Sequence, residues 1–287
     1  MAAALRALAG GDRGSGRRER VLSQDEAASL AAAFSRYVDV LGHAASGQEA
    51  EGRWLGLRKA LGEAALGLAA PARRTATARL AGLYVIVDPD HTAGRDVLEI
   101  ARAALQGGAT AIQWRDKRHD KGEQLPLASR LGELCRQHQA TFVVNDHADL
   151  AVACGADGLH VGQRDLPVDQ ARRILHPWQL VGASNALVSE AEASARAGAD
   201  YVAVGSMFPT PSKAGTRLAG LETLREVRRR LPQVTLVAIG GVTLENVSQV
   251  LEAGADGVCV MSAVCSAPDP EAAARRLMER VRSRKEA

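Results

Sequence analysis

Eight short apolar runs, separated by helical segments, constrain this chain more than any other feature. They are Leu83–Asp88, Ala111–Asp116, Thr141–Asp146, Gly158–Gln163, Leu180–Ser184, Tyr201–Phe208, Leu236–Gly241 and Gly257–Ser262. Most are apolar at successive rather than alternate positions, the pattern of strands covered on both faces in a parallel sheet. Strand–helix alternation repeated eight times predicts an α/β fold, a closed (β/α)8 TIM barrel. An internal repeat supports the reading: Gly108-Ala109-Thr110-Ala111, Gly155-Ala156-Asp157-Gly158, Gly198-Ala199-Asp200-Tyr201 and Gly254-Ala255-Asp256-Gly257. Each ends a helix and starts an even-numbered strand, with Gly supplying the left-handed position after the helix. A doubly wound open sheet is the alternative fold, but it does not naturally generate this even-strand repeat.

The chain has 287 residues, enough for a barrel of about 250 plus an extension. Met1–Leu22 is rich in Gly and Arg and is expected to be a disordered, solvated tail. Residues 23–79 read as a helical hairpin extension, opened by a Ser23/Glu26 capping box and broken near Gly42 and Ser46. Pro71–Thr77 reads as the linker, and the barrel domain is placed at 80–287. The hairpin has no identifiable chemistry. Its apolar face needs cover from the barrel or a second subunit, so a homo-oligomer stays open.

Composition narrows the partners. A net charge of +3 and 3% aromatics argue against nucleic acid. No apolar run is long enough for a membrane span, and Met1–Gly11 lacks a signal-peptide core. The four cysteines show no metal or redox spacing, which suits reduced thiols in a cytoplasmic protein.

In such barrels the active site lies at the C-terminal strand ends. There the chain places Gln113-Trp114-Arg115-Asp116-Lys117, Asn145-Asp146, Gln163 and Asp165, Ser184, Pro209-Thr210-Pro211-Ser212-Lys213, Gly240-Gly241 and Met261-Ser262. Taken singly, Asp146 is a helix cap, Asp165 a turn residue and Arg115–Lys117 a solvated charge run. Taken together at one rim, they read as a site. Two carboxylates without a full oxygen cage suit Mg²⁺ that keeps waters and takes phosphate oxygens. Arg115 can grip phosphate bidentately, while Lys117 and Lys213 act as point charges. Gly240-Gly241 and Ser262, after the seventh and eighth strands, suit a backbone-lined monophosphate pocket. Two anion sites at one rim suit a diphosphate meeting a monophosphate.

These motifs, in order, make Leu83–Leu277 resemble the thiamine phosphate synthase (thiamine-phosphate pyrophosphorylase) family. The family's Q-[LW]-R-[ED]-K is Gln113–Lys117, and its N-D is Asn145-Asp146. Its G-A-D-G-x-H-x-G-Q-x-D is Gly155–Asp165, its P-T-x-[TS]-K is Pro209–Lys213, and its I-G-G is Ile239–Gly241. The resemblance implies a transferase of thiamine biosynthesis. It would join 4-amino-2-methyl-5-(diphosphooxymethyl)pyrimidine to 4-methyl-5-(2-phosphooxyethyl)thiazole through dissociative, Mg²⁺-assisted loss of pyrophosphate. It implies Arg115, Lys117, Asn145 and Lys213 on the diphosphate, and Asp146 and Asp165 on Mg²⁺. Gln113 and Ser184 fall to the pyrimidine. Thr210–Ser212, Gly241, Met261 and Ser262 fall to the thiazole phosphate. Trp114 and Asp116 come with the same motif as substrate-binding positions, and Arg115, Lys117, Ser184 and Lys213 as the catalytic set. Trp114 stands where Leu is common, and Pro211 removes a backbone donor. No general base is required, and His160 is read as packing or a hydrogen bond.

Two other readings remain. A related barrel could tautomerise the thiazole phosphate without joining it, needing no diphosphate and Mg²⁺ set. A degenerate, non-enzymatic barrel could sense a thiamine precursor.

Overall fold

The computed structural model describes residue 33, residues 48–209 and residues 217–285. The chain divides into two compact units, residues 1–72 with 176–178, and residues 73–175 with 179–287. In the first, the described residues are helical from Gln48, and the rings of His176 and Trp178 stack at 4.5 Å. The expected tail and the helical segment before Gln48 lie outside the described residues, apart from the helical Ala33.

The second unit is the barrel. Strands β1 (Leu83–Val87), β2 (Ala111–Trp114), β3 (Thr141–Asn145), β4 (Gly158–Val161), β5 (Leu180–Asn185), β6 (Tyr201–Val204), β7 (Thr235–Ile239) and β8 (Gly257–Val260) pair in parallel. They follow sequence order, and β8 pairs back with β1 to close the sheet. All eight expected strands are present, each within a few residues of its expected bounds.

One correction concerns the linker. Helix α1 runs from Gln48 to Leu80 without interruption and carries Pro71 inside it. Pro71–Thr77 is therefore helical, and the boundary between the two units falls within this helix, at Arg73 rather than at residue 80. Proline and threonine lower helix propensity, but tertiary packing overrides it here. Ala76 and Leu80 join the apolar cluster inside the barrel, with Tyr84, Ala111, Val143, Leu180 and Tyr201. Thr141 Oγ1 donates to the Ala76 carbonyl at 2.9 Å, and Thr110 Oγ1 to the Arg79 carbonyl at 2.6 Å. The Arg79 carbonyl is one of the helix's last four, which lack partners within the helix.

Two apolar layers follow from the period of two along each strand. Val85, Val87, Ile112, Trp114, Phe142 and Val144 face outward into the layer beneath the helices. Tyr84, Ile86, Ala111, Val143 and Cys259 face inward. Space inside is shared by size: a Cβ on Gly182 would lie 2.0 Å from the Tyr201 ring.

The repeat does more than end helices. Gly108, Gly155, Gly198 and Gly254 all have positive φ, as expected. In three of the four repeats an aspartate two residues later bonds the start of the preceding strand. Asp157 Oδ2 accepts from Phe142 N at 2.7 Å, Asp200 Oδ2 from Val181 N at 2.8 Å, and Asp256 Oδ2 from Leu236 N at 2.7 Å. Each carboxylate thus staples an even strand to the odd strand before it.

Candidate active site

The C-terminal mouth of the barrel holds a cavity of about 400 Å³. Among the residues expected at the site, Gln113, Arg115, Asn145, Ser184, Gly241, Met261 and Ser262 line it. They come from β2 and the residue just after it, from β3 and β5, and from the segments after β7 and β8. Gln113 and Arg115 face inward because they alternate with Trp114. The same alternation sends Trp114 outward. It is 1% exposed, packs in the outer layer, and donates through Nε1 to Gln124 Oε1 at 3.2 Å. The structure does not bring it to the cavity.

Asp116 is not in the cavity lining either. Its carboxylate accepts from the backbone of Arg118 (2.8 Å) and His119 (3.2 Å), and lies 2.7 Å from the His119 ring. Burial alone would raise its pKa, but those N–H groups and the ring outweigh it, and the net shift is downward. It organises the loop after β2.

Arg115 is held from below. Its guanidinium bonds Asp88, whose carboxylate sits at the end of β1 with its side chain 1% exposed. Asp88 also accepts from the backbone of Asp90 at 2.9 Å. Asp88 escaped the sequence reading because it belongs to no motif; its position at the end of the strand next to the one that carries the cations was the available signal.

Lys117 and Asp146 form an ion pair at the rim. Asp146 has φ 62, uncommon for a residue other than glycine, and its N–H bonds the His160 carbonyl at 2.8 Å. Such backbone conformations gather at functional sites. Asp165 folds back on its own loop, accepting from Gly162 N at 2.8 Å. The two acids thus follow neighbouring strands, β3 and β4. Among the described residues no group of three or more His, Cys, Asp or Glu forms a metal cage. Two carboxylates suit only a hard cation whose other ligands are water or phosphate oxygens.

Gly240 and Gly241 form another part of the cavity wall. Their φ values are 92 and 70, and a Cβ would lie 2.3 Å from Ser206 Oγ or 2.7 Å from the Phe208 carbonyl. Only glycine gives this close-packed, backbone-surfaced wall. Pro209 lines the cavity at the point where Thr210, Pro211, Ser212 and Lys213 begin; those four lie outside the described residues. Ser206 and Thr243 line it as well and were not anticipated.

His160 also reaches the cavity. Its Nε2 is 2.7 Å from Ser184 Oγ and its Nδ1 is 2.8 Å from the Tyr201 hydroxyl. The expected hydrogen-bonding role is present, and it touches a proposed ligand-binding serine.

Comparisons with known proteins agree with this geometry. The family model described as thiamine monophosphate synthase matches residues 83–264. A thiamine-phosphate synthase of Moorella thermoacetica is 48% identical over 199 residues, covering 69% of this chain and 94% of that protein. One from Methanoculleus marisnigri is 47% identical over 205 residues, covering 71% and 96%. The solved thiamine phosphate pyrophosphorylase of Pyrococcus furiosus superposes with a TM-score of 0.67 at 38% identity, covering 72% of this chain and 98% of that one. With a matching barrel and a mouth lined by the motif residues, the chain belongs to the thiamine monophosphate synthase family.

Proposed function

We propose that this protein is a transferase of thiamine biosynthesis. It joins 4-amino-2-methyl-5-(diphosphooxymethyl)pyrimidine to 4-methyl-5-(2-phosphooxyethyl)thiazole, giving thiamine phosphate and pyrophosphate. The observation that supports it most is the shared cavity. Arg115, the Gln113–Ser184 pair and the Gly240–Gly241 backbone all open into one space. One wall offers charge to a diphosphate, another offers close-packed backbone to a monophosphate, and the floor offers hydrogen bonds to a ring.

In this reading the methylene–oxygen bond breaks first. The bonding electrons leave with pyrophosphate, and the 4-amino ring stabilises the methylene cation. The thiazole nitrogen lone pair then forms the C–N bond. The ring nitrogen carries no proton to lose, so no base is needed. Arg115, Lys117 and Lys213 stabilise charge on the departing group, and Asn145 orients it. Gln113 and Ser184 hold the pyrimidine, and Thr210–Ser212, Gly241, Met261 and Ser262 hold the thiazole phosphate. Alignment of two bound partners removes much of the entropic barrier. Asp146 and Asp165 would hold Mg²⁺, which when bound neutralises diphosphate charge. Lys117 would then exchange its Asp146 contact for the substrate.

The test is pyrophosphate release from the two substrates, with and without Mg²⁺. Metal-dependent release is expected only when both are present. Interconversion of thiazole phosphate tautomers without pyrophosphate release would replace this reading with the isomerase.

A further inference from the structure

A buried hydrogen-bond chain runs beneath the cavity and joins the two side chains assigned to the pyrimidine. Gln113 Nε2 donates to the Tyr84 hydroxyl at 2.6 Å. The Tyr84 and Tyr201 hydroxyls meet at 3.2 Å. Tyr201 reaches His160 Nδ1 at 2.8 Å, and His160 Nε2 reaches Ser184 Oγ at 2.7 Å. Five strands supply the five residues. Both tyrosines are essentially unexposed, and burial raises both phenols well above their ordinary pKa. Each therefore keeps one proton to donate.

With Gln113 Nε2 facing Tyr84, donor counting gives the chain one sense. An amide nitrogen only donates, so the Tyr84 oxygen accepts and its single proton passes to Tyr201. Tyr201 in turn gives its proton to His160 Nδ1. The neutral imidazole then carries its proton on Nε2 and donates to Ser184. This leaves the Ser184 hydroxyl proton and the Gln113 Oε1 lone pairs for the cavity that both residues line. Turning the Gln113 amide over would reverse every link, making Ser184 the acceptor and Gln113 the donor. The two ends are therefore coupled: one donates whenever the other accepts.

We propose that this chain sets the specificity for an amino over an oxo ring. Running from Gln113 to Ser184, it offers an acceptor and a donor to a heteroaromatic edge. An exocyclic amine that donates, beside a ring nitrogen that accepts, matches that order. A 4-oxo ring with a protonated ring nitrogen presents the reverse order. It must either turn the whole chain over or leave buried partners unmade, and unpaired buried polar groups are what produce strong rejection. His160, Tyr201 and Tyr84 are positioning residues in this scheme. The inference rests on the aminopyrimidine reading of the cavity.

Two measurements on the full chain test it. The first is the tautomer of His160, read from imidazole nitrogen NMR of the ligand-free protein at neutral pH. The neutral Nε2–H form is expected; the Nδ1–H form overturns the proposed sense. The second is calorimetric binding of 4-amino and 4-oxo pyrimidine diphosphates, without the thiazole partner. The wild-type protein is expected to favour the amino compound by at least about tenfold. Tyr201→Phe cuts the chain while leaving Gln113 and Ser184 in place, and should bring that ratio down about tenfold. Tyr84→Phe should do the same. A merely structural role would weaken both ligands together and leave the ratio unchanged, which overturns the proposal. If the wild-type protein binds the two equally, this inference alone fails. If it binds neither, the proposed function fails first.

Discussion

The carboxylate of Asp88, buried at the end of β1, grips the guanidinium of Arg115, which follows the end of β2 and lines the cavity. A long cationic side chain carries much rotamer entropy. Here that entropy is spent in folding, before any ligand arrives. Asp88→Asn keeps an oxygen for the Asp90 N–H but removes the charge that fixes Arg115. A charged hydrogen bond of about 1.5–3 kcal/mol implies a fall in kcat/KM for the diphosphate of about tenfold to a hundredfold. Steady-state kinetics should show little change in KM for the thiazole phosphate. An equal loss for both substrates would point to general disorder of the barrel mouth.

The rim pair Lys117–Asp146 leads to a prediction about metal. If Asp146 and Asp165 hold Mg²⁺, chelation with EDTA should abolish pyrophosphate release and added Mg²⁺ should restore it. Asp146→Asn should raise the Mg²⁺ concentration needed for half-maximal rate and lower the maximal rate. Asparagine tolerates positive φ better than alanine, so Asp146→Asn should melt closer to the wild-type temperature than Asp146→Ala. Full activity in EDTA would remove the metal from the scheme.

Asp157 links the repeat to pH. Burial raises its pKa, and the Phe142 N–H only partly offsets this. A raised carboxylate pKa means that the folded state holds the proton more tightly than the unfolded chain does. The charged group therefore costs stability above the folded pKa, and this cost is relieved as pH falls toward the unfolded value near 3.9. Asp157→Asn keeps an acceptor for Phe142 N without the charge. It should leave stability at neutral pH equal or higher, and should flatten this part of the pH dependence in denaturant melts. Asp157→Ala, which strands the Phe142 N–H, should cost about 1–3 kcal/mol.

Much of this was legible in the sequence, for reasons that differ by residue. Strands buried on both faces must be continuously apolar, so the barrel could be read directly from Leu83–Val87 and its seven counterparts. Gln113, Arg115, Asn145 and Ser184 could be placed because an inward residue at a strand end has only the barrel mouth to face. Strand alternation already set Trp114 opposite Gln113 and Arg115, but its place in the motif carried it into the expected site. Asp88, Tyr84 and Tyr201 were missed because their roles are relations across strands 27 to 117 residues apart. Local pattern carries no record of such pairings. The repeat aspartates were seen, but only as companions of glycine, because their partners are backbone amides on another strand.

The misread linker gives the last prediction. Pro71–Thr77 was read as a linker outside the barrel, yet Ala76 and Leu80 belong to the barrel's inner cluster. Their turn also supplies the carbonyls that take Thr141 and Thr110. The fit is tight, since a Cβ on Gly257 would lie 2.0 Å from the Leu80 carbonyl. Leu80→Ala should cost about 2–5 kcal/mol, as for other buried leucines. Two truncations separate the helix end from everything before it. A chain beginning at Arg73 keeps the plug and should melt cooperatively. One beginning at Gly82 loses both apolar anchors and both threonine acceptors, and should melt well below it by differential scanning calorimetry. Equal melting temperatures would show that the barrel base closes without Arg73–Leu80.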